Sequence, residues 1–194
     1  MSLAQPRLFD AVPPGLPEGF AYRPKFVGRE EESELAARLG ALPFAPFQFH
    51  GFEGKRRVVS FGWRYDFNEG GLKTAEPFPD WLSELARRAA AFAGLAADAF
   101  PHALINEYAP GAGIGWHRDR PQFEDVVGIS LVSPCRFRFR LKTADGWRRA
   151  TLTAEPRSAY LLRGPSRRAW EHSIPPLQTL RYSITFRSFR PDAR

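Results

Sequence analysis

Two histidines and one aspartate in this chain have the residue types of a ferrous iron site. Two imidazoles and a carboxylate can hold Fe(II) on one face and leave the other coordination positions open for a co-substrate and oxygen. His117 and Asp119 are two positions apart, so on an extended segment their side chains point to the same side and can chelate one ion. His172 is distant in sequence, so a different strand must bring it to them. The three residues predict a facial iron site.

Two arginines near the C-terminus predict a site for an anion. Arg181 and Arg187 are six positions apart, so on a strand they share one face. Ser183 and Thr185 lie on that face, and the residues of the opposite face are apolar: Tyr182, Ile184 and Phe186. A guanidinium turned into a protein interior costs free energy unless an anion meets it, and a carboxylate accepts its planar fork through two hydrogen bonds. We therefore expect a dicarboxylate ligand.

An alternative for Arg181 is a structural ion pair with Glu171 or Asp125, which requires no ligand. That alternative leaves the second arginine of the same face unexplained. Asn106 and Tyr108 are also two positions apart, so a neighbouring strand can direct both toward the expected ligand and offer it neutral hydrogen bonds.

The order of these groups resembles the AlkB family of Fe(II)/2-oxoglutarate dioxygenases. The resemblance covers the last half of the chain and consists of Asn106-Glu107-Tyr108-Ala109-Pro110-Gly111-Ala112, His117-x-Asp119, His172 and Arg181-x5-Arg187. The joint pattern is specific, although His-x-Asp alone is common. It implies Fe(II) as the metal, with 2-oxoglutarate and O2 as co-substrates.

The resemblance also implies a role for each site residue. The iron ligands would be His117, Asp119 and His172. The residues that bind 2-oxoglutarate would be Arg181 at the distal carboxylate, Arg187 near the metal-proximal end, and Asn106 and Tyr108 as supporting contacts.

The implied reaction is oxidative demethylation of alkylated DNA or RNA bases, with release of formaldehyde, succinate and CO2. Because the methyl group is buried in a duplex, such an enzyme must take the base out of the stack. The chain departs from the best-known bacterial AlkB type at Pro121, where that type has an acidic residue that reads the damaged base. The stretch Phe123-Glu124-Asp125 looks more like relatives that hydroxylate a modified tRNA base.

Three functions therefore stay open. They are a repair demethylase of alkylated nucleic acid, a hydroxylase of a modified tRNA base or of a protein side chain, and a non-catalytic, basic nucleic-acid-binding barrel. The intact ligand set argues against the last of these.

The segment around Lys55-Arg56-Arg57 supplies candidate substrate contacts. It precedes a predicted strand, Val58–Trp63, and an aromatic run that continues to Phe67. Cations beside aromatic rings suit a flipped base with flanking phosphates, and in AlkB-like proteins this region forms the lid over the substrate. The candidates are Arg56, Arg57, Trp63 and Tyr65. A core aromatic cluster is the alternative for Phe61 and Phe67.

A second group of cations alternates with apolar residues. Arg136, Arg138 and Arg140 are separated by Phe137 and Phe139. This alternation is more typical of the solvated face of an antiparallel strand than of a track for nucleic acid, so we favour the solvated face.

Composition limits the class of protein. The chain has 194 residues with 43% hydrophobic content, which suits one domain with a sizeable core. It contains no apolar run long enough to span a bilayer and does not open with a secretory pattern. The single cysteine, Cys135, excludes an intramolecular disulfide framework and favours a reducing compartment. We therefore expect a cytoplasmic monomer in which Cys135 is buried. We interpret His50 and His102 as surface residues or as core residues whose hydrogen bonds are satisfied.

The net charge of +7 suits a polyanionic partner such as nucleic acid. No membrane partner is expected.

Hydrophobic periodicity predicts the elements that position the site. Residues 1–25 are rich in proline and predict an irregular arm, followed by a single domain over 26–194. Apolar residues at helical spacing predict helices over 30–42 and 80–95. Period-two alternation predicts strands at Leu104–Tyr108, Val126–Val132, Arg136–Leu141, Ala150–Ala154, Ala159–Arg163 and Tyr182–Phe189.

The predicted fold is α+β. Residues 26–100 would supply helices and the lid, and residues 101–194 the core with the iron and 2-oxoglutarate site. A double-stranded β-helix, or jelly roll, with helices buttressing one sheet fits both the periodicity and the resemblance.

Overall fold

The computed structural model describes residues 15–49, 52–65 and 72–191. The helices are α1 (Arg29–Gly40), α2 (Asp80–Ala93) and the short α3 (Pro165–Arg168). The strands are β1 (Phe20–Arg23), β2 (Ala45–Phe49), β3 (Phe52–Phe61), β4 (Trp63–Tyr65), β5 (Leu72–Thr74), β6 (His102–Tyr108), β7 (Ile114–His117), β8 (Phe123–Leu131), β9 (Cys135–Thr143), β10 (Gly146–Ala154), β11 (Ser158–Leu162), β12 (Glu171–Ile174) and β13 (Arg181–Phe189).

Two antiparallel sheets pack face to face. The major sheet has the order β1-β11-β8-β13-β6-β3-β2, and the minor sheet has the order β10-β9-β12-β7. Aromatic side chains join their inner faces: the ring centroids of Phe137 and Tyr160 are 4.7 Å apart, and those of Phe20 and Phe139 are 5.1 Å apart. This is the predicted jelly-roll arrangement.

A second core lies on the outer face of the major sheet, beneath the two long helices. Leu35 and Leu39 of α1 and a stripe of leucine and alanine on α2 pack there against Ile105, Ile129 and Ile184. The ion pair between Arg88 and Glu31 joins the two helices. The helices therefore buttress one sheet, as the periodicity predicts.

Strand β13 shows how one alternation serves both cores. Tyr182, Ile184 and Phe186 pack under the helices. The intervening residues lie on the face between the sheets: Ser183, Thr185 and Arg187 line the cavity there, and the buried Arg181 lies against the Tyr108 ring. The polar half of this strand thus lies inside the barrel, where the site is built.

The helices were predicted within two residues of their observed ends. The second begins at Asp80 and stops at Ala93 because Gly94 takes a left-handed conformation with φ 66°.

The first half of the chain was predicted less well. The predicted irregular arm is too long, because Phe20–Arg23 forms β1 and pairs with β11; residues 1–14 lie outside the described part. The predicted strand Val58–Trp63 is interrupted at Gly62, where φ is 73° and the chain turns from β3 into β4. Strands β1 to β5 also show that helices do not dominate this half.

Within the described part of the chain, no helix is both long and apolar enough to cross a membrane. Cys135 is buried, as expected, and burial raises the pKa of its thiol.

Candidate active site

Two short strands bring the two histidines together. In the register of β12 and β7, His172 lies directly opposite His117, so both side chains point to the same face. Their ring centroids are 4.2 Å apart. Phe137 of β9 stacks on the His172 ring at 5.3 Å with an interplanar angle of 16°, which fixes the orientation of that imidazole.

Asp119 lies two residues after the end of β7 and completes the group. Its Oδ1 accepts hydrogen bonds from Nε and Nη2 of Arg187, at 3.1 and 2.9 Å. Its Oδ2 lies 3.9 Å from Nε2 of His172. Arg187 therefore occupies one carboxylate oxygen and leaves the other facing the imidazoles.

Burial and charge set the protonation states that a metal requires. Burial, and then the nearby His117, lower the pKa of His172 to about 3, and burial lowers the pKa of His117 as well. Burial alone would raise the pKa of Asp119, but Arg187 and the two imidazoles outweigh it and hold that pKa well below its usual range. Near neutral pH the site offers two neutral imidazoles and one carboxylate.

These groups fit a ferrous ion in type and orientation. Nδ1 of His117 donates to the Gly115 carbonyl oxygen at 2.8 Å, which leaves Nε2 with its lone pair available, the arrangement usual for metal-binding histidines. Among the described residues, no three such side chains already converge at bonding distance. The three side chains must therefore move closer together to bind one ion.

Arg181 is the most unusual side chain of the site. It is fully buried, and Nε donates to Oγ of Ser130 at 3.0 Å. Neither Nη1 nor Nη2 has a hydrogen-bond partner among the described residues. The two carboxylates considered as structural partners pair with other arginines, Asp125 with Arg163 and Glu171 with Arg140. Two buried donors on a fixed cation fit a carboxylate ligand.

Polar residues next to Arg181 line the cavity between the sheets. The Arg181 guanidinium lies 5.1 Å from the centre of the Tyr108 ring, and Nδ2 of Asn106 donates to Oγ of Ser183 at 3.4 Å. These residues sit on β6 and β13, which are paired in register. Of the predicted 2-oxoglutarate contacts, Asn106 and Tyr108 line the cavity and Arg181 lies next to Tyr108, whereas Arg187 lies six residues further along β13, at Asp119.

The cavity between the sheets has a volume of about 1460 Å³. Pockets for a single small ligand are usually about 300 to 1,000 Å³, so this one has room for a co-substrate together with part of a larger substrate. His117, Asp119, His172 and Arg187 are among its lining residues.

The two arginines predicted to contact substrate lie on opposite faces of the sheet. Arg56 is buried, lines the cavity and stacks on the Phe47 ring at 3.8 Å. Its Nε has no partner among the described residues. Its neighbour Arg57 points to the other face of the sheet and pairs with Glu107 at 2.6 Å.

Of the two aromatic candidates, Trp63 is not brought to the cavity. Trp63 packs edge-on against Phe189 at 6.0 Å, and within the described residues it is not part of the cavity lining. The left-handed turn at Gly62 redirects β4 and explains this placement. Tyr65 lies on β4, but its side chain is outside the described part, as are His50 and Phe67. Phe61 belongs to the core under the helices.

Comparison with known proteins decides the family. The model of the 2OG-Fe(II) oxygenase superfamily matches residues 19–187, which include every proposed ligand. The chain belongs to the 2OG-Fe(II) oxygenase superfamily. Enzymes of this superfamily use Fe(II), 2-oxoglutarate and O2, so the expected cofactors and the dioxygenase class are confirmed at the level of the family.

Individual relatives confirm the AlkB resemblance. The chain is 29% identical over 181 residues to the alkylated DNA repair protein ALKBH8 homolog of Arabidopsis thaliana, a match that covers 81% of this chain and 51% of that protein. It is also 29% identical over 148 residues to the alpha-ketoglutarate-dependent dioxygenase AlkB of Salmonella typhimurium, covering 66% of this chain and 67% of that protein. The chain therefore spans about half the length of the Arabidopsis relative.

A solved structure confirms the fold. The structure of OsALKBH1 superposes with a TM-score of 0.69 at 17% sequence identity and covers 88% of this chain and 96% of that one. At this identity the likeness concerns the jelly-roll architecture alone.

Several residues that support the oxygenase site were missed in the sequence. Ser130 is the one hydroxyl-bearing residue in the otherwise apolar stretch 126–131 of β8, and its Oγ accepts a hydrogen bond from Nε of Arg181. Phe137 lies in the predicted β9 alternation and orients His172. A polar residue at an inward position of an apolar strand was the available signal for Ser130.

His102 differs from the sequence interpretation and carries a prediction about stability. It is buried, it lines the cavity, and its Nδ1 has no partner among the described residues. Burial, and then the charge of Arg187, lower its pKa well below the usual value. Because the unfolded chain takes up this proton below about pH 6.5, the residue makes the fold less stable as the pH falls.

We expect the metal-free His102→Phe variant to gain stability relative to the parent protein as the pH falls from 6.5 to 5, by up to about 1.4 kcal/mol per pH unit. The measurement is urea unfolding at several pH values in the presence of a chelator. The other two cavity histidines titrate in both proteins and cancel in the difference. Parallel stability curves would contradict the assignment.

Proposed function

We propose that this protein is an Fe(II)/2-oxoglutarate-dependent oxidative demethylase of alkylated nucleic acid bases. The observation that carries the proposal is the buried Arg181, whose two terminal nitrogens lack partners within the described residues, in the same domain as the triad of His117, Asp119 and His172. The name of the Arabidopsis relative, an alkylated DNA repair protein, supports the substrate class.

The polar groups of the site have distinct tasks in this proposal. His117, Asp119 and His172 hold the iron, and Arg187 keeps the Asp119 carboxylate charged and oriented. Arg181 orients 2-oxoglutarate by binding the distal carboxylate of that co-substrate. When bound, the iron and its co-substrate supply oxidation of a substrate C–H bond by O2, with succinate and CO2 as products. Hydroxylation of an N-methyl group then gives a hemiaminal that releases formaldehyde.

The shape and charge of the cavity favour a nucleotide over a small neutral molecule. Its volume of about 1460 Å³ accommodates a base rotated out of its stack. Arg56 reaches the cavity as a buried cation on an aromatic ring. A guanidinium in this setting offers hydrogen bonds to a phosphate or to the acceptor edge of a base.

Neighbouring arginines give a matched test of that contact. Arg56→Gln should raise KM for a methylated oligonucleotide about tenfold, because a hydrogen bond to a charged group contributes about 1.5 to 3 kcal/mol. The uncoupled decarboxylation of 2-oxoglutarate should change little. Arg57→Gln removes the same charge from the opposite face, where the half-exposed pair with Glu107 contributes at most about 1 kcal/mol of stability, so its KM should stay near the parent value. Equal KM values in the two variants would show that Arg56 does not contact substrate.

A second candidate function is hydroxylation without demethylation, of a modified tRNA base or of a protein side chain. The feature that favours it is Pro121, which lines the cavity at a position where an acidic residue reads the base in the best-known bacterial AlkB type. A proline ring offers no such hydrogen-bonding group.

One panel of substrates separates the candidates. Single- and double-stranded DNA and RNA oligonucleotides would carry 1-methyladenine, 3-methylcytosine or wobble-uridine modifications, and product masses would be read directly. Loss of a methyl mass with formaldehyde supports demethylation, and a gain of one oxygen supports hydroxylation. Succinate formation without a change in any oligonucleotide points to a protein substrate. No succinate with any substrate would leave the non-catalytic binding barrel.

A further inference from the structure

We infer that the outer face of the minor sheet binds single-stranded nucleic acid and leads it to the cavity. This inference rests on the proposed function, because it names a surface that would deliver the substrate. The surface, here called the arginine face, consists of outward-facing residues of β9 and β10 together with the tryptophan before the first metal ligand: Arg136, Arg138, Arg140, Lys142, Trp147, Arg149 and Trp116.

The register of the strands places these side chains on one surface. Across the β9–β10 pair, Lys142 lies opposite Trp147 and Arg140 lies opposite Arg149, and partners that lie opposite share a face. On β9 the inward positions between the cations are apolar, with Phe137 and Phe139 fully buried, whereas Arg148 on β10 lies over the Trp170 ring. The outward side of β9 is therefore cationic and its inward side is apolar.

The charge of this face is unbalanced. Among the outward-facing residues of the four minor-sheet strands, all of which the structure describes, Glu171 is the one carboxylate, and it pairs with Arg140 at 2.6 Å. Arg136, Lys142 and Arg149 are exposed. Arg149 lies directly opposite Arg140, and like charges in this position destabilise a sheet. A bound polyanion would turn that repulsion into attraction.

Aromatic rings are interleaved with the cations. The guanidiniums of Arg138 and Arg140 lie 5.0 and 4.6 Å from the Trp116 ring. Trp147 lies 4.4 Å from the Arg140 guanidinium and 5.3 Å from the Lys142 ammonium, and 38% of its surface is exposed. Cations beside exposed indole rings form the combination that binds phosphates and stacks unpaired bases.

The arginine face is continuous with the site. Trp116 precedes His117 on β7 and also lines the cavity. Glu171 lines the cavity and holds Arg140 on the outer face. A nucleic acid strand that crosses the arginine face therefore arrives at the cavity beside the proposed iron ligands.

A single strand fits this surface better than a duplex does. Stacking on Trp147 requires bases with a free face, which a duplex presents only at its ends. Phosphate contacts alone would bind either form.

The test measures binding of unmodified twelve-nucleotide DNA and RNA single strands by fluorescence anisotropy over a range of salt concentrations. The double variant Arg136→Gln/Arg149→Gln should reduce the magnitude of the salt slope by about 0.7 for each lost phosphate contact. Its matched control is Arg29→Gln/Arg38→Gln, which removes two exposed cations from α1. Trp147→Ala should weaken binding about tenfold or more, whereas Leu180→Ala, which removes another side chain that is 38% exposed, should not.

Quenching of tryptophan fluorescence by the oligonucleotide should shrink in Trp147→Ala. Each variant should unfold at a temperature close to that of the parent protein, which shows that a change in binding is not caused by loss of folding. Weaker binding confined to the arginine-face variants supports the inference. Equal effects in variants and controls, loss of duplex binding to the same extent as single-strand binding, or equal competition by polyglutamate would each overturn it.

Because these oligonucleotides carry no methyl group, binding is measured separately from turnover. Failure of the arginine-face variants to weaken binding leaves the proposed demethylase reaction intact. Conversely, a modified-oligonucleotide panel without any mass change would defeat the proposed reaction while leaving binding to this face measurable.

Discussion

Replacing His117 with alanine is expected to abolish iron-dependent consumption of 2-oxoglutarate. The side chain lies opposite His172 in the β7–β12 register and is held by the Gly115 carbonyl, so its free nitrogen is one of the three donors that the proposed site requires. Two remaining donors bind Fe(II) too weakly to keep it in position. Succinate formation should fall at least a hundredfold, and bound iron, measured by elemental analysis, should fall with it.

The fold should survive this change. An open metal site is seldom the main source of stability in a domain of this size, and the helices are packed by a separate core. His102→Phe is the matched control, because it removes another cavity imidazole that is not in the proposed ligand set, and it should keep its iron. Full activity in His117→Ala, or equal loss of iron in both variants, would reject the ligand assignment.

The core of the site could be predicted because strand periodicity is simple. A spacing of two or six residues fixes which side chains share a face, and this placed Arg181 with Arg187 and opposed both to Ile184. The predicted faces of β13 agree with the structure. What spacing cannot give is the partner across the sheet, and so the contact between Arg187 and Asp119 was not foreseen.

Short or charged strands limited the rest of the prediction. Strands β7 and β12 each contain four residues, too few for a periodic pattern to stand out. Strand β3 contains three consecutive cations, Lys55-Arg56-Arg57, so its sequence shows no alternation from which the two faces could be predicted. The sequence therefore treated Arg56 and Arg57 as equivalent, whereas β3 turns one into the cavity and pairs the other with Glu107.

The arginine face shows a similar limit. Alternation of arginine and phenylalanine in β9 correctly predicts one buried and one outward side, and a solvated face was the favoured interpretation. The sequence gives no register between β9 and β10, and so it does not reveal that Arg149 faces Arg140 or that Trp147 faces Lys142. Nor does it place Trp116 beneath Arg138. These cross-strand neighbours are the reason to reconsider nucleic acid as the ligand.

Arg181→Lys is expected to raise KM for 2-oxoglutarate about 10- to 100-fold. Lysine keeps the positive charge but loses the planar fork that a carboxylate accepts through two hydrogen bonds, and each hydrogen bond to a charged group contributes about 1.5 to 3 kcal/mol. The parent guanidinium is positioned for this task by Ser130 and Tyr108. Initial rates of succinate formation over a range of 2-oxoglutarate concentrations give KM, and the co-substrate's stabilisation of the protein against heat gives an independent measure of binding.

The control for this last prediction is Arg163→Lys. Arg163 makes its ion pair with Asp125 at 2.7 Å, so the substitution alters a structural fork of the same type and should leave KM for 2-oxoglutarate unchanged. Arg181 differs from Arg163 because its terminal nitrogens have no partner within the described residues, which makes an external anion the group that compensates its burial. If KM and thermal stabilisation by 2-oxoglutarate were the same in Arg181→Lys as in the parent protein, Arg181 would be a structural cation and the co-substrate would bind elsewhere.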